Sequence, residues 1–544
     1  MAPLDIAVLA ITVIVTAVVY IRRSKPKLAH LPPGPPGLPI LGNIFQINAL
    51  RPYPKMREWA LQYGPIFHLR IGPQDVIVVN TAEAADELFI TRSSQYSGRV
   101  SPHVAHDIMS DGVIGPTPSK TLKPIQELES RVLMYDLLCS NSWGDASVPV
   151  ETSRGGFPER HWSSLVRRFT LTTEQTTSVV VNLTHKIYDV IETVSRVAQP
   201  GNYLVSLTGK HSADTFPVLR LLPDMLAPWR REGRRMHEWE MELFGSLLKE
   251  GQAALEKGVI LPGFVNQYLR SRADATTEVT SGNGTTEDGW MRDKLLAYVA
   301  GTILEAGSDT TASTIHSFVL FMLENEHVLH RAREEIDSVV GKDRLPTFED
   351  EDKLPYLVAC IKETMRRRPS VIMGVAHKAE EDDIYGGYLI PKGAAVMGNV
   401  WAIHMDPVRF PNPTAFDPDR FYWPDKPISW ASGPDPRNRD HYAFGWGRRF
   451  CQGSYVAEAS LFVAISRIVW GFNLCAPRNN VTGQPEVPNT MDEEASWMEG
   501  FISGPRKFNV TFEARSGKHA EIIQRAFDEA QMEWQAIGMK TDER

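Results

Sequence analysis

At 544 residues, with 42% hydrophobic and 23% charged positions, the chain has the composition of a large folded protein and not of a disordered one. A net charge of −8 gives no sign of the basic stripe of a nucleic-acid binder, so no nucleic-acid partner is expected. The four cysteines, Cys139, Cys360, Cys451 and Cys475, include no CxxC pair, which argues against a zinc site or a disulfide framework and fits a reducing compartment.

The first predicted element is an anchor. Residues 6–21 read IAVLAITVIVTAVVYI, close to the roughly 20 apolar residues that a spanning helix needs. Asp5 precedes the run, and Arg22, Arg23, Lys25 and Lys27 follow it, which orients the rest of the chain toward the cytosol. Basic residues after the run, with no small-residue cleavage site, argue against a removed signal peptide. The stretch LPPGPPG at 31–37 is a stiff, non-helical spacer. The expected division is therefore anchor 1–25, hinge 26–38, catalytic body 39–515 and helical tail 516–544.

Within the body, residues 63–80 alternate enough to predict a strand pair turned at Gly72-Pro73. Residues 215–229 (TFPVLRLLPDMLAPW) form a proline-broken apolar stretch. Residues 273–289 are rich in Thr, Ser, Gly and Asp and predict an exposed loop. The long apolar-periodic run 290–324 predicts a buried helix. Further helices are expected at 353–368, stopped before Pro369, and at 457–470, with short strands and turns over 385–400. In the tail, Ile523, Phe527, Ala530, Trp534 and Ile537 recur at helical spacing and predict a helix docked on the body. Helix signals dominate, so the expected class is mainly α with a small β part.

Most of the chemistry is carried by residues 444–453, FGWGRRFCQG. Its three glycines let the backbone turn tightly and approach a large planar group. Arg449 suits a carboxylate partner. The free N–H groups of a helix starting just after Cys451 would favour a thiolate there. A thiolate is a strong axial ligand for haem iron. Inside the long helix, Ala306-Gly307-Ser308-Asp309-Thr310-Thr311 breaks local helix preference, since glycine alone costs about 1 kcal/mol relative to alanine. An alcohol beside an acid makes a short proton relay. On the helix at 353–368, Glu363 and Arg366 form an i,i+3 acid–base pair, commonly no more than a surface bridge.

Taken together, these stretches resemble the cytochrome P-450 family, microsomal type, from the anchor to about residue 510, with a flavour of fungal members working on specialised metabolites. Phe444, Gly447, Arg449, Cys451 and Gly453 fill the fixed positions of its F-x-x-G-x-R-x-C-x-G loop, and Gln452 stands where most versions carry proline. The resemblance implies that Cys451 ligates the iron of haem b, that Arg449 meets a haem propionate and that Phe444 packs near the sulfur. It implies that Thr310 hydrogen-bonds bound oxygen, with Asp309 relaying protons. Glu363 and Arg366 match the E-x-x-R pair, with Arg420 as the later arginine of that structural network. Also implied are the family's fold, electrons from an NADPH–cytochrome reductase, a small hydrophobic substrate, O2, contact of 215–229 with membrane lipid, and an endoplasmic reticulum location. No GxGxxG fingerprint is present, so the chain itself is not expected to bind NADPH or flavin.

One departure stands out. The family's W-x-x-x-R helix, which contacts a propionate, is missing after the Ser97-Gly98-Arg99 region: residues 110–122 lead almost directly into 123–131. It motivates one alternative to a monooxygenase, a haem-deficient, inactive variant; a second, a haem-thiolate isomerase or dehydratase, keeps the haem, and the intact Asp309 and Thr310 argue against it.

Overall fold

The computed structural model describes residues 30–48, 50–99, 131, 134, 217–258, 264–423 and 439–536. The expected anchor at 6–21 and the region of the missing W-x-x-x-R helix lie outside the described residues. Among the described residues, no helix is long and apolar enough to cross a membrane.

The described architecture is mainly helical with a small sheet. Helix α1 (Tyr53–Tyr63) leads into the hairpin β1 (Ile66–Ile71) and β2 (Gln74–Val79). The turn uses Gly72 at φ +56, a conformation that costs glycine little. Strands β3 (Gly98–Arg99), β4 (His377–Lys378) and β7 (Ala395–Gly398) complete a five-stranded sheet in the order β1-β2-β7-β4-β3. β7 runs parallel to β2 and antiparallel to β4. The hairpin β5 (Asp383–Tyr385) and β6 (Tyr388–Ile390) falls between β4 and β7 in the chain, partly within the 385–400 region of expected strands and turns.

The helical part follows the apolar runs. Helix α2 (Pro228–Glu256) and α3 (Phe264–Ala275) precede the loop at 276–292. Helix α4 (Asp293–Glu324) is the long expected helix, and it continues without a break through 306–311. Helix α5 (Glu326–Val339), α6 (Pro355–Arg367) and α7 (Ser454–Gly471) pack against its C-terminal half. Phe318, Phe321, Leu357, Phe462, Ile465 and Trp470 are fully buried in the largest apolar cluster. Burying each such side chain contributes about 1.5–3 kcal/mol.

Two distant segments join this core. Met134 is buried in it, and so are Ile523 and Ala530 of the last helix, α8 (Gly517–Ala536). A Cβ added at Gly471 would lie 2.6 Å from Met134 Cε and 3.3 Å from Ile523 Cδ1. That glycine at the end of α7 is what lets both side chains close over it.

Candidate active site around Cys451

Residues 441–453 leave the sheet side of the molecule and enter α7 three positions after Cys451. The loop is anchored by Trp446, whose ring lies 5.4 Å from Phe89 and 5.5 Å from Tyr442. Trp446 also fills the space over Gly398 of β7, where a Cβ would come within 2.4 Å of the indole. Gly445 and Gly447 take φ +76 and +52, so the chain folds back and the Cys451 N–H donates to the Phe444 carbonyl at 2.9 Å. A Cβ on Gly447 would lie 2.0 Å from the Phe89 carbonyl oxygen. The tight turn expected of these glycines is thus present at Gly445 and Gly447, and Gly447 in addition admits the protein's own backbone at Phe89. At Gly453 the nearest atom to an added Cβ is Cys451 Sγ, at 3.9 Å.

Cys451 is exposed, yet burial is the first influence on its thiol and pushes its pKa up. The Gly453 N–H bonds the sulfur and opposes the rise, while the Glu458 carboxylate adds to it. The N–H at the helix start acts in the expected thiolate-favouring direction, and in the metal-free thiol desolvation outweighs it. A metal bound to the sulfur would supply the missing positive charge.

Two cations meet on one side of this loop. Arg449 is exposed, and its Nε donates to the Ser97 carbonyl at 2.7 Å. Arg99 donates to the carbonyls of Val375 and Ala376 at 2.7 and 3.1 Å. Burial, and then the Arg449 charge, lower the Arg99 pKa to about 10. Among the described residues, neither arginine has a carboxylate partner. A pair of guanidiniums so placed suits a ligand with carboxylates. Behind them His377 stacks on Phe89 at 4.3 Å and bonds the Tyr96 carbonyl through Nδ1. Burial and the neighbouring Arg99 pull its pKa down to about 4.

Helix α4 holds the second group. Leu304 and Ser308 are fully buried, while Ala306 between them is exposed. Helix α4 is therefore accessible at Ala306, with Glu305, Gly307, Asp309 and Thr310 around it half-buried. The Thr310 hydroxyl donates to the Ala306 carbonyl at 2.8 Å. Burial raises the Asp309 pKa to about 6, and a hydrogen bond from Ser313 partly opposes it.

The third group is the Glu363 network. Arg366 donates to both Glu363 oxygens at 2.7 Å, and both side chains are sealed from solvent. The Asp417 N–H donates to Glu363 Oε1 at 2.9 Å, and Arg420 approaches the same oxygen at 3.5 Å. Arg366 also donates to the carbonyls of His404 and Ala415. His404 extends the network: its Nδ1 is 3.0 Å from the Arg366 carbonyl, and its Nε2 accepts from the Tyr442 N–H at 2.8 Å. That pattern assigns the neutral Nδ1–H tautomer, consistent with a pKa that burial holds well below the usual value. Tyr442 opens the cysteine loop, so His404 ties the buried ion pair to the segment carrying Cys451.

Arg99 and His404 are among the members of these groups that motif reading did not single out. Arg99 stands in the noticed Ser-Gly-Arg stretch. His404 sits in an apolar run, WAIHM, where a lone histidine reads as core.

The sequence profile of the family described as Cytochrome P450 matches residues 32–129 and 162–495. Cytochrome P450 monooxygenase 231 of Postia placenta is 49% identical over 571 aligned positions, covering 99% of each chain. Cytochrome P450 monooxygenase virE of Hypocrea virens is 32% identical over 95% of this chain and 91% of its own length. Cytochrome P450 monooxygenase fogE of Aspergillus ruber is 34% identical over 92% of this chain and 89% of its own length. With a profile spanning most of the sequence and relatives matched end to end, the chain belongs to the cytochrome P450 monooxygenase family.

Proposed function

We propose that this protein is a haem-thiolate monooxygenase that inserts one oxygen atom from O2 into a small hydrophobic organic substrate, in fungal specialised metabolism. The observation that carries the reading is the Arg99–Arg449 pair, two cations without a carboxylate partner among the described residues, beside the loop that ends in Cys451. Members of the family hold haem through a cysteine thiolate, and these residues fit that group: sulfur for the iron, guanidiniums for the propionates. When bound, haem supplies the activation of O2.

The chain's own residues do the rest. The Cys451 sulfur, as a thiolate, would hold the haem iron. Arg99 and Arg449 hold the carboxylate edge. The Thr310 hydroxyl, donating to the Ala306 carbonyl, offers its oxygen as an acceptor and becomes a donor to a bound group on turning away from that carbonyl. Asp309, with a pKa of about 6, exchanges protons readily near neutral pH. The Glu363–Arg366–Arg420 network, extended by His404, keeps the cysteine loop in register.

Electrons come from NADPH through a separate reductase, and the exposed Arg448 beside the cysteine is a suitable contact for it. Residues 6–21 anchor the protein in the endoplasmic reticulum membrane with the body in the cytosol. Leu221 and Met225, 84% and 81% exposed, give the 215–229 stretch an apolar tip suited to the lipid surface.

Reduction under carbon monoxide tests the haem assignment, and spectral titration with terpenoids, polyketides and indoles tests the substrate class. A thiolate-type Soret band, with a spin-state shift on adding one of these classes, is expected. Absence of haem after expression with adequate supply overturns the reading. A second reading, weak haem retention, draws on the alignment with the 49% identical relative. That alignment has 571 positions against 544 residues in this chain, so at least 27 positions have no residue here. Those gaps are in keeping with loss of the W-x-x-x-R helix. A haem-to-protein ratio well below one would favour it, and full occupancy would exclude it.

A further inference from the structure

The Thr310 carbonyl carries more than its helix requires. In an α-helix this oxygen accepts the N–H four residues on. Here the Thr314 hydroxyl also reaches it at 2.9 Å, and the Ser370 hydroxyl reaches it from another segment at 2.8 Å. The two hydroxyls are themselves 2.9 Å apart. Three short contacts thus share two hydroxyl protons. Whichever way they are distributed, the carbonyl of Thr310 is tied to Ser370 directly or through Thr314.

We propose that Ser370 is a positioning residue for the oxygen chemistry: it grips the backbone of Thr310 and so fixes where the Thr310 hydroxyl is presented. The inference rests on the reading that Thr310 serves that chemistry.

Three observations make the grip specific. First, the turn from Ala306 to Thr310 contains Gly307, which brings no side chain to stiffen it. Hydroxyls that bond back to a carbonyl one turn earlier tend to bend helices, and the Thr310 hydroxyl does so. Orientation at this turn therefore depends on an outside hold. Second, Ser370 is itself held, because the Ser503 N–H donates to its carbonyl at 2.7 Å. Beside Ser503, Gly504 lies so close to α4 that an added Cβ would be 3.0 Å from the Ser313 hydroxyl. Ser313 is the residue that bonds Asp309. One clamp thus spans Thr310 and the partner of Asp309. Third, Ser370 follows Pro369 at the end of α6, the helix that carries Glu363 and Arg366. The scaffold that reaches the cysteine loop and the clamp on the oxygen helix are contiguous in the chain.

The test uses the full-length haem-loaded enzyme with a P450 reductase and NADPH, and needs no organic substrate. Oxygen leaving as peroxide consumes one NADPH, and oxygen reduced to water consumes two. The peroxide yield per NADPH therefore reads how well protons are delivered. Thr310→Ala is the reference and should raise the yield several-fold. Ser370→Ala should raise it in the same direction, and Ser370→Thr, which keeps the hydroxyl, should restore the parent value. The thiolate-type carbon monoxide band should stay in all three. If Thr310→Ala leaves the yield unchanged, the oxygen role of Thr310 fails, and the role of Ser370 fails with it. If Thr310→Ala raises it and Ser370→Ala does not, only the clamp is overturned. Should Ser370→Ala fail to fold, Ser370→Cys decides: a raised yield supports the clamp, and a parent-like yield overturns it.

Discussion

Glu363 and Arg366 are joined by two hydrogen bonds of 2.7 Å with neither side chain open to solvent. Removing one partner strands a buried charge, which typically costs about 3–5 kcal/mol. Glu363→Ala should therefore lower the unfolding free energy by that order and reduce haem-loaded yield. Glu363→Gln keeps an acceptor for Arg366 and for the Asp417 N–H and should cost less. Urea titration followed by tryptophan fluorescence measures both, and equal losses in the two variants would contradict the argument.

The glycines of the cysteine loop should separate sharply. Gly447→Ala places a Cβ 2.0 Å from the Phe89 carbonyl and forces alanine to φ +52. The expected loss is about 2 kcal/mol or more, because overpacking and a left-handed backbone add. Gly453→Ala meets nothing nearer than the sulfur at 3.9 Å and sits at φ −80. It should stay within about 1 kcal/mol of the parent. Thermal melts of the two proteins provide the comparison.

Cysteine substitutions should dissociate spectrum from stability. Cys451→Ala removes an exposed side chain and should abolish the thiolate-type Soret band with little change in melting temperature. Cys360 is fully buried in the main core. Cys360→Ser puts a hydroxyl there and should cost about 1–3 kcal/mol while leaving the band shape intact. The carbon monoxide difference spectrum and a melt on each variant settle the matter.

Stability should also depend on pH through a buried acid pair outside the cysteine loop. Glu240 of α2 accepts a hydrogen bond from the Tyr298 hydroxyl at 2.9 Å, and burial pushes its pKa up to about 7. Burial and then the Glu240 charge push Glu305 well up too. A carboxyl whose folded pKa is raised favours the fold below its unfolded value and loses that contribution as pH climbs through the folded value. Between about pH 4.5 and 7 this term therefore weakens the fold as pH rises. His404 and His441, kept neutral by burial, act in the opposite sense as pH falls. The difference between Glu240→Gln and the parent isolates the acid. Melting temperatures from pH 5 to 8 should fall less steeply in the variant, and parallel curves would count against the pair.

Local signals carried much of this architecture into the sequence. The hairpin at 63–80 and the helices at 290–324, 353–368 and 457–470 appear within a few residues of their expected ends, because each is set by periodicity and a turn or proline. Cys451 was legible because its loop is contiguous: turn glycines, arginine and sulfur lie within ten residues. The Arg99–Arg449 pair was not, since its members are far apart in sequence and meet only when β3 packs beside the loop. His404 is silent in sequence for a related reason. Its role is defined by two backbone partners, and a backbone partner leaves no trace in residue identity. The desolvation of the Cys451 thiol is silent in sequence, because a motif records the N–H groups near a sulfur and not the protein mass around it.

The small glycine at the end of α7 has a bearing on how the chain is made. Met134 and Ile523 close over Gly471, so the largest core draws on segments separated by most of the body. During synthesis the helices α4 to α7 emerge with this seam open, and it stays open until the segment around Ile523 and Ala530 has left the ribosome. A nascent chain in that state leaves the apolar end of α7 around Gly471 unsealed, a situation that invites chaperones and aggregation. Haem-loaded yield in a host should then respond to chaperone supply and to lesions in α8, although α8 touches none of the chemistry.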